Sequence, residues 1–174
     1  MKMGFFKSIF GGVSEKKIKF LIQMLQESLI SSYPDASSLS EIIILSQYIP
    51  IRLAYQNNKS AEDLITIIKS DDLYVSSILL SYKKSISSFR SNRIKRFVEY
   101  ETDWAFLIDR DSRALPFTLA KRRILPDSYN SIDVLPSWVG TMSILTVLQE
   151  QIGNLKYESD NWLTDFHPKL KSLY

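Results

Sequence analysis

The stretch that decides the fold class runs from Asp71 to Phe89 and reads DDLYVSSILLSYKKSISSF. Its apolar residues recur every three or four positions, which is the spacing of one face of an α-helix. They are Val75, Ile78, Leu79, Tyr82, Ile86 and Phe89. This is the most regular stripe in the chain. It predicts a helix with that face buried, and a mainly α-helical protein around it.

Three further helices are predicted on the N-terminal side of this stretch. Ser14 is a plausible N-cap for an apolar stripe that predicts a helix over about 15–32. Residues 38–41 have the spacing of a capping box and open a second helix, which we expect Pro50 to kink or end. Ser60, followed by two acidic residues, begins a third helix that the pattern predicts to be short.

The pattern changes on the C-terminal side of the same stretch. Continuing its phase would place Arg93 among apolar side chains, so we predict a bend or break near Ser91–Asn92. Two apolar runs then flank turn-like residues, and a small β-hairpin over about 104–119 is an alternative to helix there. Both interpretations keep the fold class mainly α.

The C-terminal part predicts one more helix and an aromatic tail. Pro136 stands at a first helical position, and Gly153 closes a helix that is apolar on most sides. The tail either docks on the core or forms an exposed binding segment with aromatic anchors. Its large apolar residues are Trp162, Phe166, Leu170, Leu173 and Tyr174.

Length and composition set the limits of the chain. The 174 residues suit a single compact domain, predicted over 14–174 after an amphipathic segment at 1–13. A hydrophobic content of 45%, with five Gly and six Pro, excludes the disordered and collagen classes. No Cys and one His exclude disulfide scaffolds and the common Cys or multi-His zinc sites. We therefore expect no cofactor and no metal.

A few short patterns are typical of catalytic residues. Asp109 and Asp111 could hold a cation, and Asp165 could orient His167 as a base. Ser14 and Ser81 each begin a Ser-x-x-Lys pattern. Each pattern lacks the companion residues that complete such a site, so solvated turns, packing and chance explain them better. We expect no catalytic residue.

The charge is unevenly distributed although the net charge is only +3. The segment from Lys83 to Arg123 carries eleven basic and five acidic residues, whereas the rest of the chain is net acidic. A solvated face explains most charge runs, but this one also fits an acidic protein surface. The predicted partner-binding residues are Arg90, Arg93, Lys95, Arg96, Lys121, Arg122 and Arg123.

By elimination, the sequence predicts a non-enzymatic protein-binding module. Small helical proteins without Cys or catalytic motifs resemble bacterial immunity proteins, a likeness of class that rests on no motif. That likeness implies an inhibitor that covers the active site of a cognate toxin, and the toxin would be the partner that has the acidic surface.

Two alternatives stay open beside that function. The basic block 83–123 could bind nucleic acid. The N-terminal residues Phe5, Phe6, Ile9 and Phe10 could contact a membrane weakly, as in a peripheral adaptor. The N-terminus lacks the pattern of a secretory signal, so we expect a cytoplasmic protein.

Overall fold

The described part of the chain is built from helices. A computed structural model describes residues 12–32, 39–108, 146–154, 156 and 160–174. All regular secondary structure within these ranges is helical, which confirms the mainly α fold class. Residues 146–152 are helical as well. The helices with both ends described are α1 (Glu15–Ser32), α2 (Leu39–Gln56), α3 (Ala61–Ser81), α4 (Ile86–Ile108) and α5 (Trp162–Lys171).

Helix α2 is the central element. Residues 42–54 are all buried, because the stretch is apolar on nearly every side and has no face suited to water. Helices α1, α3 and α4 contact α2, and α5 packs against α3 and α4. The core is therefore one continuous cluster around α2, to which Leu148 and Ile152 of the helical residues 146–152 also belong.

An aromatic cluster joins α5 to the core. The rings of Trp162 and Phe166 stack at a centroid distance of 4.1 Å, and Phe166 stacks on Phe97 of α4 at 6.2 Å. Tyr48 of α2 meets Phe97 edge to face at 5.3 Å. Trp162, Phe166 and Leu170 are buried, so this part of the tail is docked on the core.

Three predicted helix boundaries are confirmed, at Ser14, Ser60 and Gly153. The backbone N–H of Lys17 donates to Ser14 Oγ at 3.1 Å, and α1 has the predicted bounds. The backbone N–H of Asp63 donates to Ser60 Oγ at 3.2 Å. Gly153 follows the helical residues 146–152 with a φ of +141°, a backbone conformation that favours glycine.

The break predicted near Ser91–Asn92 is wrong, because the chain turns earlier. The short third helix and the next predicted helix are one continuous helix, α3, which ends at Ser81. Lys83 has a left-handed φ of 56°, and the N–H of Lys84 donates to Leu79 O at 2.8 Å, which closes the helix end. Helix α4 then runs through residues 91–92 without interruption.

Two further expectations need correction. Of the two effects expected of Pro50, the end of the helix is wrong, because α2 continues to Gln56 with Pro50 inside it, and the kink stays a prediction. The burial of this helix on all sides outweighs the loss of one backbone N–H donor. Residues 104–108 belong to α4, so the first strand of the hairpin predicted over 104–119 is wrong, and 109–119 lie outside the described residues.

Several predictions fall on residues that the structure does not describe. They include Pro136, the start of the helix that Gly153 closes, and nearly all of the amphipathic segment 1–13. The domain boundary at residue 14 stays a prediction. Within the described ranges, no helix combines the length and the apolar character needed to cross a membrane.

Candidate functional site

Several charged and amide side chains lie in buried clusters between helices. The first cluster forms where the start of the predicted stripe, Asp71 and Asp72, faces the interior from α3. Arg93 of α4 has a side chain only 1% exposed, and it binds both carboxylate oxygens of Asp72, at 2.6 and 3.0 Å. Its NH1 also donates to Gln47 Oε1 at 3.1 Å. This bidentate pair fixes α4 against α2 and α3.

Asp71 has a different environment from that of its neighbour. Its carboxylate accepts hydrogen bonds from amide groups only: Gln47 Nε2 at 2.8 Å, Gln26 Nε2 at 3.0 Å and Gln23 Nε2 at 3.5 Å. Burial raises the pKa of Asp71, against the opposing effect of the bonds from Gln47 and the other amides. The structure thus holds a carboxyl group with a raised pKa between α1, α2 and α3.

The C-terminal residue of the chain covers the edge of this cluster. The hydroxyl of Tyr174 donates to Asp72 Oδ2, and the guanidinium of Arg90 lies 3.6 Å from the Tyr174 ring centroid. Arg90 Nε also approaches Asp72 Oδ2 at 3.4 Å. Burial and then the bond to Asp72 raise the pKa of the Tyr174 hydroxyl, so it acts as a donor at neutral pH.

The second buried cluster is centred on Arg52 of α2. Its guanidinium binds Glu101 of α4 at 2.8 Å and Asp160, which precedes α5, at 2.6 Å. It also lies over the Trp162 ring, 5.0 Å from the centroid. The hydroxyl of Tyr48 donates to the same Glu101 at 2.8 Å.

The raised pKa values of Tyr48 and Arg52 keep these two groups protonated at neutral pH. Burial raises the pKa of Tyr48 well above its usual value, and the charge of Glu101 adds to that effect. For Arg52, burial acts to lower the pKa, but the hydrogen bonds and charge of Glu101 outweigh it and raise the pKa. Tyr48 is therefore a neutral donor and Arg52 a permanent cation, as a structural ion pair requires.

Of the residues predicted to bind a partner, the four that the structure describes do not form one exposed surface. Arg93 is buried and bound to Asp72, and Arg90 is half-buried beside it. Arg96 is half-buried and binds Glu41 at 3.0 Å and Glu99 at 2.5 Å. Lys95 is exposed on α4. Lys121, Arg122 and Arg123 lie outside the described residues.

The outer side of α3 carries a surface that the sequence reasoning missed. Leu73 and Leu80 have exposed fractions of 77% and 75%, the largest among the exposed large apolar residues of the described chain. They lie seven positions apart and so share one side of the helix. We define the α3 outer face as Lys69, Leu73 and Leu80 on the helix together with Lys83 and Lys84 in the turn that follows it, all of which are exposed. The signal was present, since both leucines fall outside the buried stripe.

The residues with catalytic patterns have structural contacts. His167 is buried with Nε2 3.3 Å from Ile94 O, while Asp165 binds Lys169 and accepts from the Tyr55 hydroxyl at 2.9 Å. Asp165 therefore does not orient His167. Ser14 caps α1, and the hydroxyl of Ser81 donates to Ile78 O at 2.6 Å. Residues 109–111 lie outside the described ranges.

The described ranges contain no group of three or more His, Cys, Asp or Glu placed to hold a metal ion. The buried polar clusters hold the helices together, and the described residues with catalytic patterns have structural contacts. The α3 outer face is therefore the candidate functional site among the described residues. Comparison of the chain with protein families, with curated proteins and with solved structures finds no match.

Proposed function

We propose that this protein is a non-enzymatic binding module that recognises a protein partner with an acidic surface. The closest class of function is that of an immunity-type inhibitor, which covers the active site of a toxin. The observation that carries the proposal is the separation of two kinds of positive charge in the described residues: the arginines are bound internally, and the free cations are lysines at the surface.

The arginines of the described ranges are used by the fold. Each of the four is ion-paired: Arg52 with Glu101, Arg90 and Arg93 with Asp72, and Arg96 with Glu41. These pairs satisfy carboxylates that burial would otherwise destabilise. The guanidinium groups are therefore not available for the bidentate contacts with phosphate that nucleic-acid binding favours.

Lysines supply the unpaired positive charge. Lys69, Lys83 and Lys84 are exposed and have no ion-pair partner among the described residues. Exposed lysines are compatible with long-range attraction of an acidic protein, which raises the association rate more than the affinity. Such a surface can inhibit a partner by occlusion alone, and no catalytic group is required.

The proposal is tested by identifying and reconstituting a complex. The tagged full chain is used to capture proteins from the host, and the best-enriched protein is then produced pure. We expect a stoichiometric complex in calorimetry and loss of the partner's own activity when the chain is added. Failure to reconstitute a complex contradicts the proposal, and a complex with unchanged partner activity contradicts the inhibitory role.

Two additional measurements separate the alternatives. In a gel-shift titration with DNA and RNA we expect no complex at 0.15 M salt, whereas a linear fall of log affinity with log salt would indicate nucleic-acid binding. We place the binding event in the cytoplasm as part of the same proposal. Imaging of a fluorescent fusion in the host tests that location.

A further inference from the structure

We propose that the α3 outer face is the docking site for the partner, and that the partner presents an apolar patch bordered by carboxylates. This inference rests on the proposed function, because it assumes a protein partner. It assigns the contact to α3 and the turn that follows it, and not to the arginines of α4.

The apolar part of the face consists of two separate anchors. Leu73 and Leu80 lie two turns apart on the same side of α3, about 10 Å along the helix axis at 1.5 Å per residue. Both side chains are three-quarters exposed, so the fold gains little from them. Apolar side chains that are buried in pockets of a partner can carry much of the binding energy of a protein interface.

The charge of the face selects an acidic occupant. No Asp or Glu occurs between Leu73 and Val98 in the sequence, so Asp72 is the last acidic residue of α3. Lys83 and Lys84 follow the last turn of α3, and Lys69 precedes Leu73 by one turn. Carboxylates of a partner placed around the two leucines would meet these lysines.

The same features favour a protein over a lipid or a nucleic acid. An interfacial membrane helix needs a continuous apolar side, whereas Ser76 and Ser77 separate the two leucines here. Phosphate groups would gain nothing from two exposed leucines. A protein surface can bind both the apolar and the charged residues of the face, with pockets for the leucines and carboxylates for the lysines.

The experiment uses the full chain and the purified partner from the reconstitution above. The double variant Leu73→Asp with Leu80→Asp should raise the Kd by about a hundredfold or more. Two apolar anchors are lost, and the two new carboxylates face the carboxylates of the partner. The double variant Lys83→Glu with Lys84→Glu should slow association by about tenfold at low salt, with a smaller effect as salt rises.

Matched controls lie on α5. Leu163 is 51% exposed and Lys171 is exposed, so Leu163→Asp and Lys171→Glu make the same chemical changes at another surface. We expect both controls to bind as the wild type does. Far-ultraviolet circular dichroism verifies that every variant stays helical.

Each other outcome overturns the inference in a different way. If the partner binds the leucine variant as tightly as the wild type, the docking site is wrong and the proposed function stands. If no partner complex is reconstituted, both fall. Binding to phosphatidylserine vesicles, to duplex DNA or to a second copy of the chain in sedimentation, lost in the leucine variant, would assign the face to that occupant instead.

Discussion

At the scale of single residues, the same chemical type serves different ends according to burial. Arg93 and Lys95 lie two positions apart on α4, yet one is buried against Asp72 and the other is exposed to solvent. A buried charge that loses its partner is left uncompensated, whereas an exposed one is hydrated by water. Substitutions at the two positions should therefore differ strongly in their effect on stability.

We predict that Arg93→Ala lowers the free energy of unfolding by about 3–5 kcal/mol, because Asp72 then lacks its bidentate partner. Lys95→Ala is the control and should change that free energy by less than about 0.5 kcal/mol. Urea unfolding followed by circular dichroism measures both values. Equal effects of the two variants would contradict the structural role given to Arg93.

A second prediction concerns the pH dependence of stability. Burial raises the pKa of Asp71 in the folded state. The contribution of the protonated Asp71 to the free energy of unfolding is therefore complete below the unfolded-state pKa, and it is lost as pH rises through the folded-state pKa. In the variant Asp71→Asn, the side chain at position 71 is uncharged at every pH. The stability of this variant relative to the wild type should therefore increase as pH rises from about 4 to 7.

The measurement is a series of urea titrations of Asp71→Asn and wild type at matched pH values. Groups on every neighbouring helix face Asp71: Gln23 and Gln26 of α1, Gln47 of α2, and Arg93 of α4 through Gln47. Asp72 adjoins it on α3 and adds a like charge. Parallel pH profiles of the two proteins would show that Asp71 keeps the same ionisation in the folded and unfolded states.

The α3 outer face was predictable only in that Leu73 and Leu80 fall outside the buried stripe. The buried Arg93–Asp72 pair was not predicted. The phase of the stripe from Asp71 to Phe89 reaches Arg93, and we predicted a break there because a charged residue did not suit the apolar face, yet the helix continues and Arg93 is buried. What the pattern could not supply was the partner, since the Asp72 contact depends on how two helices cross. Pairing across helices is a tertiary property, and local periodicity does not report it.

At the scale of elements, the helix ends that a side chain caps were predictable from the sequence. The end that is closed by a left-handed residue other than glycine was not. Ser14 and Ser60 have the residue type and spacing of an N-cap, and both accept the expected bond. The turn after α3 has Lys83 in the left-handed conformation, a position where glycine is usual. Without that glycine, the sequence did not indicate a break at 82–85.

A third prediction tests the turn that follows the helical residues 146–152. A Cβ at Gly153 would lie 2.3 Å from side-chain atoms of Asn57, whose Nδ2 donates to Leu53 O at 2.8 Å and to Asn154 O at 3.1 Å. Gly153→Ala should therefore destabilise the protein by about 1–3 kcal/mol, from backbone strain and the displaced Asn57.

Gly12 supplies the control for that substitution. It also has a positive φ, +110°, but a Cβ there would meet nothing within 4 Å. Gly12→Ala should thus show the backbone effect without the collision, and thermal unfolding of the two variants separates the contributions. If Gly12→Ala costs as much as Gly153→Ala, the contact with Asn57 contributes nothing.

At the scale of the whole molecule, we predict that the chain folds from apolar burial and internal ion pairs without an added ion or cofactor. Far-ultraviolet circular dichroism should show a spectrum dominated by helix. The melting temperature should be unchanged, within error, by excess chelator. Loss of helix on chelation would mean that a metal stabilises the fold.

The central position of α2 determines which arrangement of the helices is native. A helix that is apolar on all sides could shift along its axis or rotate among its neighbours at little energetic cost. Several alternative packings of the helices would then compete with the native one. Gln47 and Arg52 prevent this: a slip of one turn, about 5.4 Å, would carry both away from Asp71 and Glu101. We expect that replacing both with leucine leaves Glu101 and Asp160 without their cation, and therefore lowers the melting temperature as well as broadening the melting transition.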